Sequence, residues 1–235
     1  MKHLLKKRLS FAFCVALMCC LSTTLALAQN KRLKDAARHS DNAAQVFNQI
    51  MGVRERGIPK DLLNKAEAIA VFPGVVKAAF IIGGHGGQGV ISRRIKGGWS
   101  APAFFNIGGG SFGAQIGAQK TDYVLLIMND EGLNGLLKDK FEMGGEVSVA
   151  AGPVGRTAAA TTNAMLDAGI LSYSRSRGAF IGAALKGGTI TPDNDLNEAI
   201  YGVKANDVLN PGKTASDAPA EVRIFPTTLS RYSRR

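Results

Sequence analysis

The glycine cluster at residues 108–113 matches two motifs that carry chemistry in other proteins. Gly109 to Gly113 reads GGSFG, which fits GxSxG, the strand-to-helix turn that holds the nucleophilic serine of α/β-hydrolases. That mechanism needs a histidine later in the chain, and no histidine follows His85. The same cluster also fits GxGxxG, but the next residues alternate as a strand does and open no helix for a dinucleotide. Neither match predicts an enzyme, and an uncharacterised hydrolase is the last of the function hypotheses.

Histidine and cysteine predict no metal site in the chain after residue 28. His39 and His85 are the two histidines there, and the three cysteines lie earlier, at positions 14, 19 and 20. A zinc site needs several such ligands at short spacing. We therefore expect no metal, no cofactor and no catalytic residue.

Basic residues beside turns and on one strand face are the remaining candidates for binding chemistry. Guanidinium and ammonium groups bind anionic headgroups, and an indole suits a membrane interface. The predicted lipid-binding set is Arg93, Arg94, Lys96, Trp99, Arg156, Arg175 and Arg177. Scattered, solvated surface charge is the alternative interpretation of the same residues.

The first 28 residues have the pattern of an export signal. Basic residues precede an apolar run from Leu9 to Leu21, and Ala26 to Ala28 supplies small residues for cleavage. We expect a signal peptide over residues 1–28, cut after Ala28. Lipidation of Cys19 or Cys20 is the alternative, although bulky residues precede both cysteines. The expected location is the periplasm or the periphery of the outer membrane.

Charge favours an anionic partner for the exported chain. Four of the 29 basic residues lie in the signal segment, which leaves a net charge of +7 for residues 29–235. A basic excess attracts anionic surfaces, and export makes lipid headgroups the expected partner rather than nucleic acid.

Residues 31–52 have the periodicity of an amphipathic helix with an alanine-rich apolar face. One interpretation is a helix packed on the domain. The other is a basic helix lying on a membrane, in which four cations face the lipid. Those cations are Lys31, Arg32, Lys34 and Arg38.

The middle of the chain predicts β-structure. Tyr123 to Met128 is a short apolar run between polar clusters, which is typical of a central strand buried on both faces. We also predict a strand over 68–72 that ends at Pro73-Gly74, a hairpin that turns at residues 83–88, and one strand over 111–119. The hairpin turn would contain His85.

These elements predict the fold class and the extent of the domain. We expect an α+β, mainly β fold, with a single glycine-rich antiparallel sheet or barrel-like domain, an N-terminal amphipathic helix and short closing helices at 192–201 and 205–209. One domain would cover residues 29–210. The polar, basic segment 211–235 would be a mobile tail.

Six segments, which follow one another along the chain, resemble the SYLF-domain family. They are IPKDLLNKAEAIAVFPGVVKAAF, GGWSAPAFF, GGGSFGAQIGAQKTDYVLLIMN, SVAAGPVGR, ILSYSRSRGAFIGAALKG and IYG, between Ile58 and Gly202. The resemblance implies phospholipid binding, with phosphoinositides as ligands in eukaryotic members, and no established catalysis. It supplies no catalytic residues to transfer.

Two function hypotheses lead. The first is non-catalytic binding of anionic phospholipid at the cell envelope, either by its headgroup or by its acyl chain within the β domain. The alternative is a structural envelope protein that binds a protein partner or itself.

Overall fold

The computed structural model describes residues 29–53, 57–79, 82–112, 117–145, 147–155, 168–176, 179–183, 188–210 and 213–233. The described chain opens with helix α1 at residues 29–51, as the periodicity predicted. Helix α2, Lys60–Lys65, follows Pro59, whose fixed φ and missing N–H suit the start of a helix.

Ten strands make one mixed sheet within the described residues. They are β1 Ala68–Ala79, β2 Ile82–Ile95, β3 Gly98–Trp99, β4 Ala103–Phe112, β5 Gly117–Ile127, β6 Phe141–Glu142, β7 Val149–Ala151, β8 Ile170–Ser176, β9 Ala179–Gly182 and β10 Thr189–Pro192. The main order is β6-β10-β4-β2-β1-β5-β8-β7, with β3 beside β2 and β9 beside β8. The pairing is antiparallel except between β7 and β8. The predicted fold class, α+β and mainly β with an N-terminal helix and short closing helices, is confirmed.

Strand β5 lies at the centre of the sheet, between β1 and β8. Leu125 faces one side and Leu126 the other, and both are fully buried, as is their neighbour Ile69 in β1. A run that is apolar on both faces is stable only where both faces are covered. The prediction of a central strand at Tyr123 to Met128 is confirmed, with Met128 just beyond its end.

The first two strands are longer than predicted, because Pro73-Gly74 forms a β-bulge instead of a strand end. The register between β1 and β5 shifts between Phe72 and Val75, and Gly74 takes φ +56° there. The Gly74 N–H donates to the Asp122 carboxylate at 2.8 Å, so the bulge is anchored. The prediction that strand 1 ends here was wrong.

The predicted hairpin turn at residues 83–88 was also wrong. Those residues run through β2, where His85 pairs with Lys77 on β1 and with Gly109 on β4. Glycines suit this close pairing as well as they suit a turn, since Cβ atoms at Gly87 and Gly89 would collide with Val75 and with Phe72.

The predicted single strand over 111–119 includes residues 113–116, which lie outside the described residues, and its two described ends belong to different strands. Strand β4 ends at Phe112 and β5 begins at Gly117. Ser111 therefore lies within a β-strand paired with Gly83, whereas a nucleophile elbow needs the serine at a strand-to-helix turn.

Three short helices follow β5 and β10. They are α3 Asp130–Leu136, α4 Asn194–Tyr201 and α5 Ala205–Leu209. The side chains of Asn129 and Asp193 cap α3 and α4 by accepting backbone N–H groups, which polar residues at N-caps are expected to do.

The C-terminal segment is packed where the sequence predicted a mobile tail after residue 210. Residues 213–233 include helix α6, Ile224–Tyr232, and bury Val222, Phe225 and Leu229 completely. The apolar residues at 222, 225 and 229 have helical spacing, so one face of this segment is part of the core. That expectation is corrected for the described residues.

Candidate functional site

Arg94, predicted to bind lipid, is held by contacts within the protein. Its Nε donates to the Ala66 carbonyl at 3.0 Å, and its Nη2 donates to the Leu63 carbonyl at 2.7 Å and to Ser233 Oγ at 3.1 Å. The guanidinium also lies 4.2 Å from the centre of the Trp99 ring, as a cation–π pair. Arg94 thus joins α2, β2, β3 and the end of α6.

Trp99 lies beneath that guanidinium and is only 3% exposed. An indole at a membrane interface presents its ring to the lipid. In this conformation the Trp99 ring is enclosed by the protein, so it offers no such surface.

Arg93 points to the other side of β2 and has polar partners of its own. Its Nη1 donates to Asn210 Oδ1 at 3.0 Å, and its Nη2 lies 3.8 Å from an Asp130 oxygen. Its side chain is 21% exposed. Arg93 and Arg94 are adjacent in sequence but, as alternate strand residues, they serve different faces.

Arg175 forms a two-donor ion pair with Asp122 across β5 and β8. Its Nη2 and Nε lie 2.7 and 2.9 Å from Asp122 Oδ2, and the two side chains are 24% and 16% exposed. The other Asp122 oxygen accepts the Gly74 N–H of the bulge. Arg175 therefore stabilises the sheet at the β-bulge of β1.

Lys96 is the one member of the predicted set that is exposed and has no ion pair within the described residues. It lies in the tight turn between β2 and β3. Arg156 and Arg177 lie outside the residues that the structure describes. The structure thus does not bring the predicted set together as one patch, and its binding of lipid stays a prediction.

Helix α1 is packed on the core over most of its length. Ser40 Oγ donates to the Val222 carbonyl at 2.6 Å, and the Phe47 ring meets Tyr232 edge-on with centroids 5.8 Å apart. Ala36, Ala43 and Phe47 are fully buried. Alanines allow the helix to approach the domain closely, so the packed interpretation holds for this part of α1.

The first turns of α1 are different, because their cations project into solvent. Lys31, Arg32 and Lys34 are exposed and have no ion pair within the described part of the chain. Arg38, one turn further, pairs with Asp35 at 3.0 Å. We call Lys31, Arg32 and Lys34 the basic end of α1.

His39 marks the boundary between these two parts of the helix. Its ring packs at 6.5 Å from the Phe104 ring, centre to centre. Burial, and then the charge of Arg38, lower the pKa of His39 below its ordinary value. The cations of α1 therefore all precede this position, and the residues of α1 that pack on the core after it are uncharged.

The described residues indicate neither a metal site nor a membrane-spanning helix. They contain no group of three or more His, Cys, Asp or Glu side chains arranged to hold a metal ion. They also contain no helix that is both long enough and apolar enough to cross a bilayer.

Sequence reasoning missed the partners that fix the arginines. The partners lie between 53 and 139 residues away in the sequence, so no local pattern identifies them; they are Asp122, Ser233 and Asn210. Two signals were present: the alternation of Arg93 and Arg94 on a strand, and the helical spacing of Val222, Phe225 and Leu229.

Comparison with known proteins identifies the family. The family model described as "Ysc84: Las17-binding protein actin regulator" matches residues 108–232, more than half of the chain. The chain belongs to the Ysc84 family. The match includes the C-terminal helix α6, in agreement with its place in the core.

The chain is similar to longer eukaryotic proteins. It is 35% identical over 159 residues to "LAS seventeen-binding protein 3" of Saccharomyces cerevisiae, covering 66% of this chain and 34% of that protein. It is 30% identical over 195 residues to "SH3 domain-containing YSC84-like protein 1" of Homo sapiens, covering 80% of this chain and 56% of that protein. The chain thus spans between a third and somewhat over half of these relatives.

The family description names binding and actin regulation, the name of the yeast relative describes binding, and none of these names describes an enzyme.

Proposed function

We propose that this Ysc84-family chain is a non-catalytic module that binds anionic phospholipid at the cell envelope after export. It docks through the basic end of α1, while the rest of α1 holds the domain behind it. The observation that carries the proposal is the contrast along one helix: Lys31, Arg32 and Lys34 are exposed without ion pairs among the described residues, whereas Ala36 to Phe47 is fixed to the core.

Electrostatics support this choice of surface over the arginines of the sheet. A cation that already has an anionic or carbonyl partner must give up that partner before it binds a headgroup. The basic end has no such partner to lose, and each cation near an anionic membrane contributes about 1 kcal/mol. Three cations therefore correspond to roughly a hundredfold in binding.

A vesicle experiment tests the proposal. Protein purified after export, with its intact mass recorded, is sedimented with vesicles of phosphatidylcholine alone or with added phosphatidylglycerol. We expect binding only to the anionic vesicles, and weaker binding as salt rises. Replacing Lys31, Arg32 and Lys34 together with glutamine should reduce binding at low salt by about a hundredfold, with an unchanged melting temperature.

A matched control removes the same charge elsewhere. Lys60, Lys65 and Lys204 are also exposed, so replacing these three with glutamine lowers the net charge equally. The control variant should lose far less binding than the first. Equal loss in both variants would mean that net charge alone drives binding and would refute the proposed surface.

Protein binding is the second candidate function, because a relative carries the name "LAS seventeen-binding protein 3". A partner protein would be recovered from envelope extract by the wild-type chain. If it were recovered equally well by the variant lacking the basic end, while vesicles did not bind either chain, this second function would replace the first.

A further inference from the structure

A cleft lies between the β2–β3 turn and the C-terminal helix α6. Its volume is about 600 Å³, and a second depression of about 260 Å³ continues along the same turn. Lys96, Gly97, Gly98 and Ser230 line both parts. Such a volume is in the range of sites for small molecules and headgroups.

Two side chains of opposite charge line the larger part of the cleft. Glu67 is half-buried and Lys96 is exposed, and neither makes an ion pair, with each other or with another described residue. A third charged residue, Arg94, forms the wall, where its guanidinium already donates to carbonyls and to Ser233. The cleft is thus lined by one acidic and two basic residues, of which Arg94 already has hydrogen-bond partners in the protein.

Backbone hydrogen bonds and a tight turn fix the main chain at Glu67 and Lys96. The Glu67 N–H donates to the Ile127 carbonyl at 2.8 Å, and the Glu67 carbonyl accepts from the Arg94 N–H at 2.7 Å. Lys96 is followed by two glycines at φ +87° and +152°, conformations that disfavour any side chain. A Cβ at Gly97 or Gly98 would meet no atom within 4 Å, so the rim beside Lys96 is open.

We propose that this cleft binds a zwitterionic group of the phosphoethanolamine type. The ligand's ammonium group pairs with Glu67 and its phosphate pairs with Lys96, while Thr227 on α6 supplies a hydroxyl group. A ligand with only a phosphate would lack the contact with Glu67, and one with only an ammonium group would lack the contact with Lys96 and would be repelled by the two cations of the cleft, Lys96 and Arg94. The cleft therefore selects for both charges on one ligand.

This inference does not rest on membrane docking by α1, because the basic end does not line the cleft. The same chemistry has two sources, which are the headgroup of phosphatidylethanolamine and a soluble phosphoethanolamine compound.

An amide NMR titration with glycerophosphoethanolamine tests it. We expect the Gly97 and Gly98 signals to move, with binding about tenfold tighter than for glycerophosphate or ethanolamine alone, since one opposite-charge contact of about 1.4 kcal/mol is lost in each. Glu67→Gln should weaken the binding of glycerophosphoethanolamine and strengthen the binding of glycerophosphate. Lys96→Gln should weaken the binding of both compounds.

A matched control uses Glu198→Gln and Lys204→Gln, which change exposed charges outside the cleft and should leave the titration unchanged. Neutral vesicles with and without phosphatidylethanolamine then identify the source. Binding that requires this lipid and is lost in Glu67→Gln assigns the headgroup, and binding of the soluble compound alone assigns a soluble ligand. The inference would be overturned if neither the lipid nor the soluble compound bound, or if the Glu67→Gln variant bound as well as wild type.

Discussion

The arginines of the sheet and the cations at the basic end of α1 have the same formal charge but different surroundings. Arg94 and Arg175 each donate at least two hydrogen bonds to protein oxygens. Lys31, Arg32 and Lys34 have no ion pair among the described residues and project into solvent. From this difference we expect a binding surface only where the positive charge is unpaired.

The largest effect should come from Arg94. Arg94→Ala leaves the Leu63 and Ala66 carbonyls without their donor and detaches Ser233 at the end of α6. We expect a loss of about 2–4 kcal/mol in the free energy of unfolding. Thermal unfolding should show this as a melting temperature lower by roughly 4–16 °C.

Arg93→Ala is the matched control, because Arg93 has one hydrogen bond to Asn210 and a longer contact with Asp130. It should change the melting temperature much less. Should Arg94→Ala melt like wild type, the comparison would fail, since Arg94 would then be as available for a ligand as the basic end.

A smaller effect is expected from the pair of Arg175 and Asp122. A double-mutant cycle with Arg175→Ala and Asp122→Ala should give a coupling energy of about 1–2 kcal/mol, because the contact has two donors and is mostly shielded from water. Denaturant unfolding of the four proteins measures it. Asp122→Ala alone should cost more than Arg175→Ala alone, since it also frees the Gly74 bulge.

A coupling energy near zero would mean that Arg175 is effectively unpaired, like the cations at the basic end of α1. Arg175→Ala would then be expected to reduce vesicle binding without a change in stability, and the division between the two groups of cations would have to be redrawn.

The sequence was sufficient to predict elements whose signal is local. Helix α1 has an apolar face at helical spacing, and β5 has an apolar run between polar clusters, so both were placed correctly. The closing helices predicted at 192–201 and 205–209 were likewise located, as α4 and α5.

The errors came from residues that have two structural uses. Glycine and proline mark turns, yet Pro73-Gly74 is a bulge inside β1 and the glycines around His85 lie in a strand. Whether a glycine turns the chain or allows a close neighbour depends on that neighbour, which for Gly89 is Phe72 on another strand. A single sequence contains no record of such contacts.

For the candidate site, the sequence predicted the type of side chain but not which of those side chains are available to a ligand. Basic residues were identified, but pairing with distant partners decides which of them are available. The exposed turns of α1 follow from helical periodicity, whereas the ion pair of Arg175 depends on the register between β5 and β8. The cleft beside Lys96 depends on α6, which lies in the segment that the sequence assigned to a tail.

The most direct test of docking by the basic end is a comparison of fluorescent labels on α1. The three native cysteines lie within the first 28 residues, so a chain whose mass shows cleavage after Ala28 accepts one new cysteine for labelling. Asn30→Cys places an environment-sensitive dye at the basic end, Asn42→Cys places it on an exposed middle turn of α1, and Asn134→Cys places it on α3. With anionic vesicles, we expect a blue shift from the dye at position 30 and little change at positions 42 and 134. A shift at position 42 or 134 that equals or exceeds the shift at position 30 would contradict docking through the basic end of α1.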